Sequence, residues 1–232
     1  MNPSTTPRTA VLLDIDGTLV ESNYLHIDAW DRAFVAVGHP VEVWRIHRSI
    51  GMDSEKLLEH LLGTAAETVG EQAKERHSEF YLASAERLRP IPHAREFLAA
   101  LDDRGHAVVL ATSAPENELN ILLSVLDADQ ALTATTSSGD VKEAKPNPDI
   151  IETALEKASV GPGDAVMIGD STWDVKAALR AGVSCIGLLS GGFGAEELLT
   201  AGAVAVYDDV SDLLTHLDES PIARMQATHN SH

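Results

Sequence analysis

Six short apolar runs limit how this chain can fold. They lie at 9–14 (TAVLLD), 107–111 (AVVLA), 131–135 (ALTAT), 165–168 (AVMI), 183–188 (VSCIGL) and 203–206 (AVAV). Each is continuous rather than alternating and too short for a helix, so each reads as a strand buried on both faces. Helical patterns fall between them, at 93–104, 116–126, 148–159, 172–181, 195–200 and 211–217. Strand alternating with helix predicts an α/β fold: a doubly wound parallel sheet covered on both sides.

The gap between the first two runs breaks that rhythm. Roughly ninety residues intervene, too many for one crossover helix, and they read as helices at 24–37, 41–47, 54–62 and 65–88. Gly38-His39-Pro40 and Gly51-Met52-Asp53 punctuate them. The expected organisation is a catalytic core of residues 9–18 and 89–217 carrying an inserted α-helical cap of residues 19–88. The chain leaves the core after Gly17-Thr18 and returns through Arg89-Pro90-Ile91-Pro92, where two prolines stiffen an extended connection. Residues 1–8 and 218–232 are expected to be mobile tails.

A formal net charge of -19 argues against a nucleic-acid partner and against docking on anionic membranes, both of which need clustered Lys and Arg. No apolar stretch is long enough to span a bilayer, and none precedes the first strand, so a cytoplasmic protein is expected, as a monomer or homodimer. The one cysteine, Cys185, lies in an apolar run and reads as a buried, inert thiol.

Four polar constellations follow the strands. In DIDGTL, Asp14 and Asp16 lie two residues apart and point the same way on an extended chain. Such a pair repels itself unless a cation or a proton intervenes; the plainer alternative is a strand-end Asp with an Asp-Gly turn. In ATSAPEN, Thr112 and Ser113 offer hydroxyls to a phosphate, or merely start the helix at 116–126. In AKPNPD, Lys145 can lean over a site and offset negative charge, or be solvated. In GDSTWD, Asp170 and Asp174 suit a hard cation or its water shell; the plainer alternative is that Asp170-Ser171 merely caps the helix at 172–181, which does not need Asp174. All four sit just past the C-terminal end of an expected parallel strand, the edge where open α/β sheets bind ligands.

Taken in order, DIDGTL, ATS, AKPNPD and GDSTWD resemble the four signature motifs of the haloacid dehalogenase-like superfamily, and the helical insertion resembles its first cap class. Within that class the chain resembles the well-known phosphoglycolate phosphatase and β-phosphoglucomutase group. The resemblance implies a Rossmann-like core and a Mg2+-dependent phosphatase acting on a small phosphorylated metabolite, phosphoglycolate- or sugar-phosphate-like, through an aspartyl-phosphate. It implies that Asp14 is the nucleophile and Asp16 the acid and base, that Thr112, Ser113 and Lys145 hold the phosphoryl group, and that Asp14, Asp16 (through its carbonyl), Asp170 and Asp174 form the metal site. His26 falls where the mutase carries a cap histidine, so it is a candidate substrate contact. Arg45 and Arg48 share a helix face and could hold a second anionic group. GMDSEK lacks the arginine that the mutase carries after its cap glycine, which favours hydrolysis over phosphoryl-transfer mutase activity. A catalytically silent binding protein would have lost Asp14, Asp16, Lys145 or Asp170, and none is lost.

Overall fold

A computed structural model describes residues 9–140 and 145–229. Residues 1–8, expected as a mobile tail, and 230–232 lie outside the described residues, as does the 141–144 segment entering the AKPNPD motif.

The apolar runs form one six-stranded parallel sheet in the order β3-β2-β1-β4-β5-β6. β1 (Ala10–Leu13), β2 (Ala107–Leu110), β4 (Ala165–Gly169) and β5 (Ser184–Leu188) lie close to their expected positions. β3 shrinks to Ala134–Thr135, because residues 129–131 take a 3-10 turn, and β6 slides to Ala205–Tyr207. β1 is central, paired with β2 from Ala10↔Ala107 and with β4 from Ala10↔Ala165. Val11, Leu13, Val108, Leu110, Val166 and Ile168 pack into one apolar layer; Ala10, Leu12, Ala107, Val109, Ala165 and Met167 pack into the other. Both faces are thus buried, which is why these strands read as unbroken apolar runs. Cys185 is free and buried in the second layer.

Helices α5 (Ala94–Asp103), α6 (Glu116–Leu126), α7 (Asp149–Ala158), α8 (Thr172–Arg180), α9 (Ala195–Ala201) and α10 (Val210–Thr215) cover the sheet. Between β1 and β2 run α1 (Asn23–Ala36), α2 (Val43–Ser49), α3 (Ser54–Leu62) and α4 (Ala66–Leu82). These four share their own apolar cluster, including Ile27, Trp30, Phe34, Ile46, Leu57 and Leu61. The expected helix at 65–88 ends at Leu82 and is followed by a 3-10 turn at residues 85–87. The two connecting segments hydrogen-bond to each other: Glu21 N donates to Arg89 O and Ile91 N to Leu19 O, each at 2.8 Å.

The C-terminal segment departs from expectation. Rather than a tail from residue 218, the chain makes a 3-10 turn and a further helix, α11 (Pro221–His229). Ile222 is fully buried in the same layer as Val166 and Ile168. Ile222 and Met225 are the only large apolar side chains in this polar stretch, too few to announce a helix by their period. Ile222→Ala is expected to cost about 2–5 kcal/mol in a urea unfolding curve, as for other buried Ile truncations; a cost near zero would return the segment to a tail.

Candidate active site

The C-terminal ends of β1, β2 and β4 bring the expected residues together with Lys145, which comes not from a strand end but from the loop before α7. Asp14 leaves β1 with its N–H donating to Ile168 O at 3.0 Å, so it faces the β1/β4 edge. The chain then reverses at Gly17 (φ +70), where a Cβ would overlap Asn23 and the Asp170 carboxylate; only glycine fits. The turn delivers Thr18 Oγ1 to Asp170 Oδ1 at 2.9 Å, and Asn23 Nδ2 donates to Asp170 Oδ2 at 2.7 Å. Both donors fix the orientation of Asp170.

Lys145 is 2 % exposed and bridges two carboxylates, Asp14 Oδ1 at 2.9 Å and Asp174 Oδ1 at 2.7 Å. Oxygens of Asp14, Asp170 and Asp174 all lie within 4.8 Å of one another. Burial pushes Asp14 up to about 7 against the pull of Lys145, with Asp174 and Asp16 adding to the rise. Asp170 is raised well above its ordinary value by burial, then by Asp174 and Asp14, against the pull of Thr18 and Asn23. Lys145 is raised by the two carboxylates in spite of its burial. Three buried acids facing one ammonium form an under-compensated negative site of oxygen ligands, which suits a hard divalent cation.

Asp174 also builds the capping box that starts α8. Its Oδ2 accepts from Ser171 N at 3.1 Å and from Ser171 Oγ at 2.6 Å, while its own N–H donates to Ser171 Oγ. Of the expected capping pair, Ser171 does cap the helix, but its partner in the cap is Asp174 and not Asp170. The capping account of Thr112 and Ser113 also fails, since the residue before α6 is Pro115 and no side chain caps this helix. Thr112 Oγ1 instead accepts from Ala114 N at 3.1 Å, and Thr136 Oγ1, a residue that sequence reasoning missed, accepts from Thr112 N at 3.1 Å. Thr112, Ser113 and Lys145 line a cleft of about 370 Å³ together with Asp14 and Asp16.

Asp16 turns toward the inserted helices. Ser22 Oγ donates to its Oδ1, and His26 Nε2 lies 3.4 Å from the same oxygen. Burial would raise Asp16, but the His26 hydrogen bond and charge, then Ser22 and Lys145, hold it below its ordinary value. His26 is raised by Asp16 in spite of burial. Its Nδ1 lies 3.0 Å from His77 Nε2, and its ring stacks on Tyr81 at 3.9 Å. His77, held well below its ordinary value by burial and by His26, stacks in turn on Trp30 at 4.1 Å. No sequence signal singles out His77 or Tyr81, because one histidine on an amphipathic helix reads as packing. His26 lines the cleft, but its direct partner is Asp16. Arg45 and Arg48, the candidate holders of a second anion, are engaged elsewhere: Arg45 pairs with Glu42, and Arg48 pairs with Glu197 across the junction between α2 and α9.

The doubly wound sheet with this acidic cleft at its C-terminal edge defines the class, and comparison with known proteins defines the family. A family model for haloacid dehalogenase-like hydrolases matches residues 9–182, and the chain belongs to that family. It is 30% identical over 200 residues to a phosphorylated carbohydrates phosphatase of Thermotoga maritima, covering 85% of this chain and 93% of that one. It is 28% identical over 219 residues to a phosphoglycolate phosphatase of Pseudomonas putida, covering 91% and 80%. A crystal structure of a hydrolase from Pseudomonas syringae superposes with a TM-score of 0.85 at 36% identity, covering 91% of this chain and 99% of that one.

The charge crowding has a consequence for stability. Asp14 titrates at about 7 when folded against 3.8 ordinarily. Between those values the unfolded chain has lost a proton that the folded chain retains, so stability falls as pH rises through this window. Asp14→Asn is therefore expected to raise the melting temperature of the metal-free protein at about pH 8 by several degrees, each kcal/mol being worth about 2–4 °C at this size. The gain should shrink toward about pH 4. An unchanged melting temperature at the higher pH would contradict the crowding.

Proposed function

We propose that this phosphoric monoester hydrolase removes phosphate from a small phosphorylated metabolite, with Asp14 as nucleophile, Asp16 as acid and base, and Mg2+ as cofactor. The observation that carries the reading is the pairing of two unlike carboxylates on one cleft. Asp14 is buried and bridged by Lys145 at 2.9 Å, while Asp16 is turned away onto His26.

The chemistry follows from that division. Thr112, Ser113 and Lys145 seat the phosphoryl group against Asp14, so that repulsion between carboxylate and phosphate is offset before reaction. Asp14 attacks phosphorus, and the bond to the leaving oxygen breaks. The Asp16–His26 pair holds one proton between Asp16 Oδ1 and His26 Nε2, and Asp16 delivers it to the departing alkoxide. Asp16 then takes a proton from a water, whose oxygen attacks the aspartyl-phosphate and frees phosphate and Asp14. Splitting the hydrolysis this way replaces one difficult displacement with two easier ones. Asp14, Asp170 and the Asp16 carbonyl would hold Mg2+, with Asp174, which shares their cluster, supporting the site. When bound, the ion supplies the positive charge that phosphoryl transfer needs.

The start of α3 favours a hydrolase over a bisphosphate-handling mutase. The cleft wall there is Met52, Asp53, Ser54 and Glu55, which offers carboxylates where a second phosphate would need a cation. Phosphate esters are charged and retained inside cells, which supports a cytoplasmic site of action; among the described residues no helix is long and apolar enough to cross a membrane.

Phosphate release from p-nitrophenyl phosphate tests the scheme. Asp14→Asn is expected to lower kcat on the order of 10³-fold or more, since an amide is a poor nucleophile. Asp16→Asn is expected to cost about 10²–10⁴-fold, the usual worth of acid–base catalysis. Near-normal turnover by Asp14→Asn would rule out the covalent route. Excess EDTA should abolish activity and added Mg2+ restore it; undiminished activity in EDTA would remove the cofactor from the scheme.

A further inference from the structure

The cleft contains another buried carboxyl group, to which the hydrolysis scheme gives no task. Glu118, in the first turn of α6, is 5 % exposed and lines the cleft. Its Oε1 accepts one long hydrogen bond, 3.4 Å, from Ser78 Oγ of α4, and among the described residues no Lys or Arg pairs with it. Burial pushes its carboxyl up, against the pull of His26 and with Asp16 adding to the rise. The Ser78 contact turns its carboxyl toward the inserted helices, which also carry His26, the partner of Asp16.

The charge of that end of the cleft points the same way. Lys145 is committed to Asp14 and Asp174. Beyond it the lining carries Asp53, Glu55 and Glu118 against a single ammonium, Lys74 of α4. A second anion on the substrate would meet mostly like charge, and like charge is an effective means of rejection. A hydroxyl fits better, because it donates to a carboxyl oxygen and accepts from an ammonium at once.

We propose that Glu118 is a specificity-determining residue that accepts a hydrogen bond from a leaving-group hydroxyl, selecting monophosphate esters of neutral polyols or sugars over esters bearing a carboxylate or second phosphate. This rests on the phosphatase reading above. A buried polar group that expects a hydroxyl discriminates strongly, because an analogue without one leaves it unpaired.

The test is a matched pair of substrates with the full-length enzyme and Mg2+: glycerol 3-phosphate, with a neutral leaving group, and 3-phosphoglycerate, with a carboxylate. Wild-type kcat/KM is expected to be about tenfold or more higher for glycerol 3-phosphate. Glu118→Ala should reduce that ratio about tenfold. The near-isosteric Glu118→Gln keeps an acceptor oxygen but loses the charge. It should retain more glycerol 3-phosphate activity than the Ala variant and gain on 3-phosphoglycerate; it decides the matter if the Ala variant folds poorly. A wild-type preference for 3-phosphoglycerate overturns the proposal, as does a ratio unmoved in Glu118→Gln, since packing alone would lower both substrates together. Wild-type turnover of p-nitrophenyl phosphate separates the two layers: its absence overturns the phosphatase reading and this proposal with it, whereas its presence without a polyol preference overturns this proposal alone.

Discussion

Lys145 stands between Asp14 at 2.9 Å and Asp174 at 2.7 Å, and the rest of the site is arranged around that buried ammonium. Two acids and a base withdrawn from water are stable only when their partners are held in place, because an unpaired buried charge is costly. The sheet supplies the holding. Asp14 is anchored by the β1/β4 ladder, Asp174 by its reciprocal cap with Ser171, and Lys145 O accepts from Asp53 N at 3.4 Å. Asp170 adds a third carboxylate to this cluster, and the residual negative charge is of the kind that suits a cation.

The same arrangement separates the chemistry of Asp14 from that of Asp16, although they are two residues apart. Asp14 faces the core and the cluster it forms with Asp170 and Asp174. Asp16 lies just before the Gly17 reversal and faces the inserted helices, where His26 and Ser22 take hold of it. One carboxyl is pushed up by burial and the other held down by its partners. Neighbouring titratable groups driven apart by their surroundings are what the proposed division into a nucleophile and an acid–base requires.

The inserted helices are tied to the core at a second place. His47 Nε2 lies 3.0 Å from Gly191 O, Trp173 Nε1 donates to Arg48 O at 3.2 Å, and Arg48 pairs with Glu197 while lying over the Phe193 ring. Glu118, Lys74 and His77 line one cleft although they come from both parts of the molecule.

The parallel sheet, the helical insertion and the core carboxylates were legible in the sequence because each is written locally. A strand buried on both faces is a continuous apolar run, and a ligand-binding edge is a polar cluster at the end of one. Asp14, Asp16, Thr112, Lys145, Asp170 and Asp174 could all be named from such clusters. Tertiary structure alone decided what faces them. His26 and His77 meet across 51 positions of sequence, Ser78 and Glu118 across 40, and Arg48 and Glu197 across 149. Such meetings leave no local period, because packing between elements sets them and the backbone pattern of either element does not. The same holds for Ile222, whose burial under the sheet makes a helix of a stretch that reads as a tail.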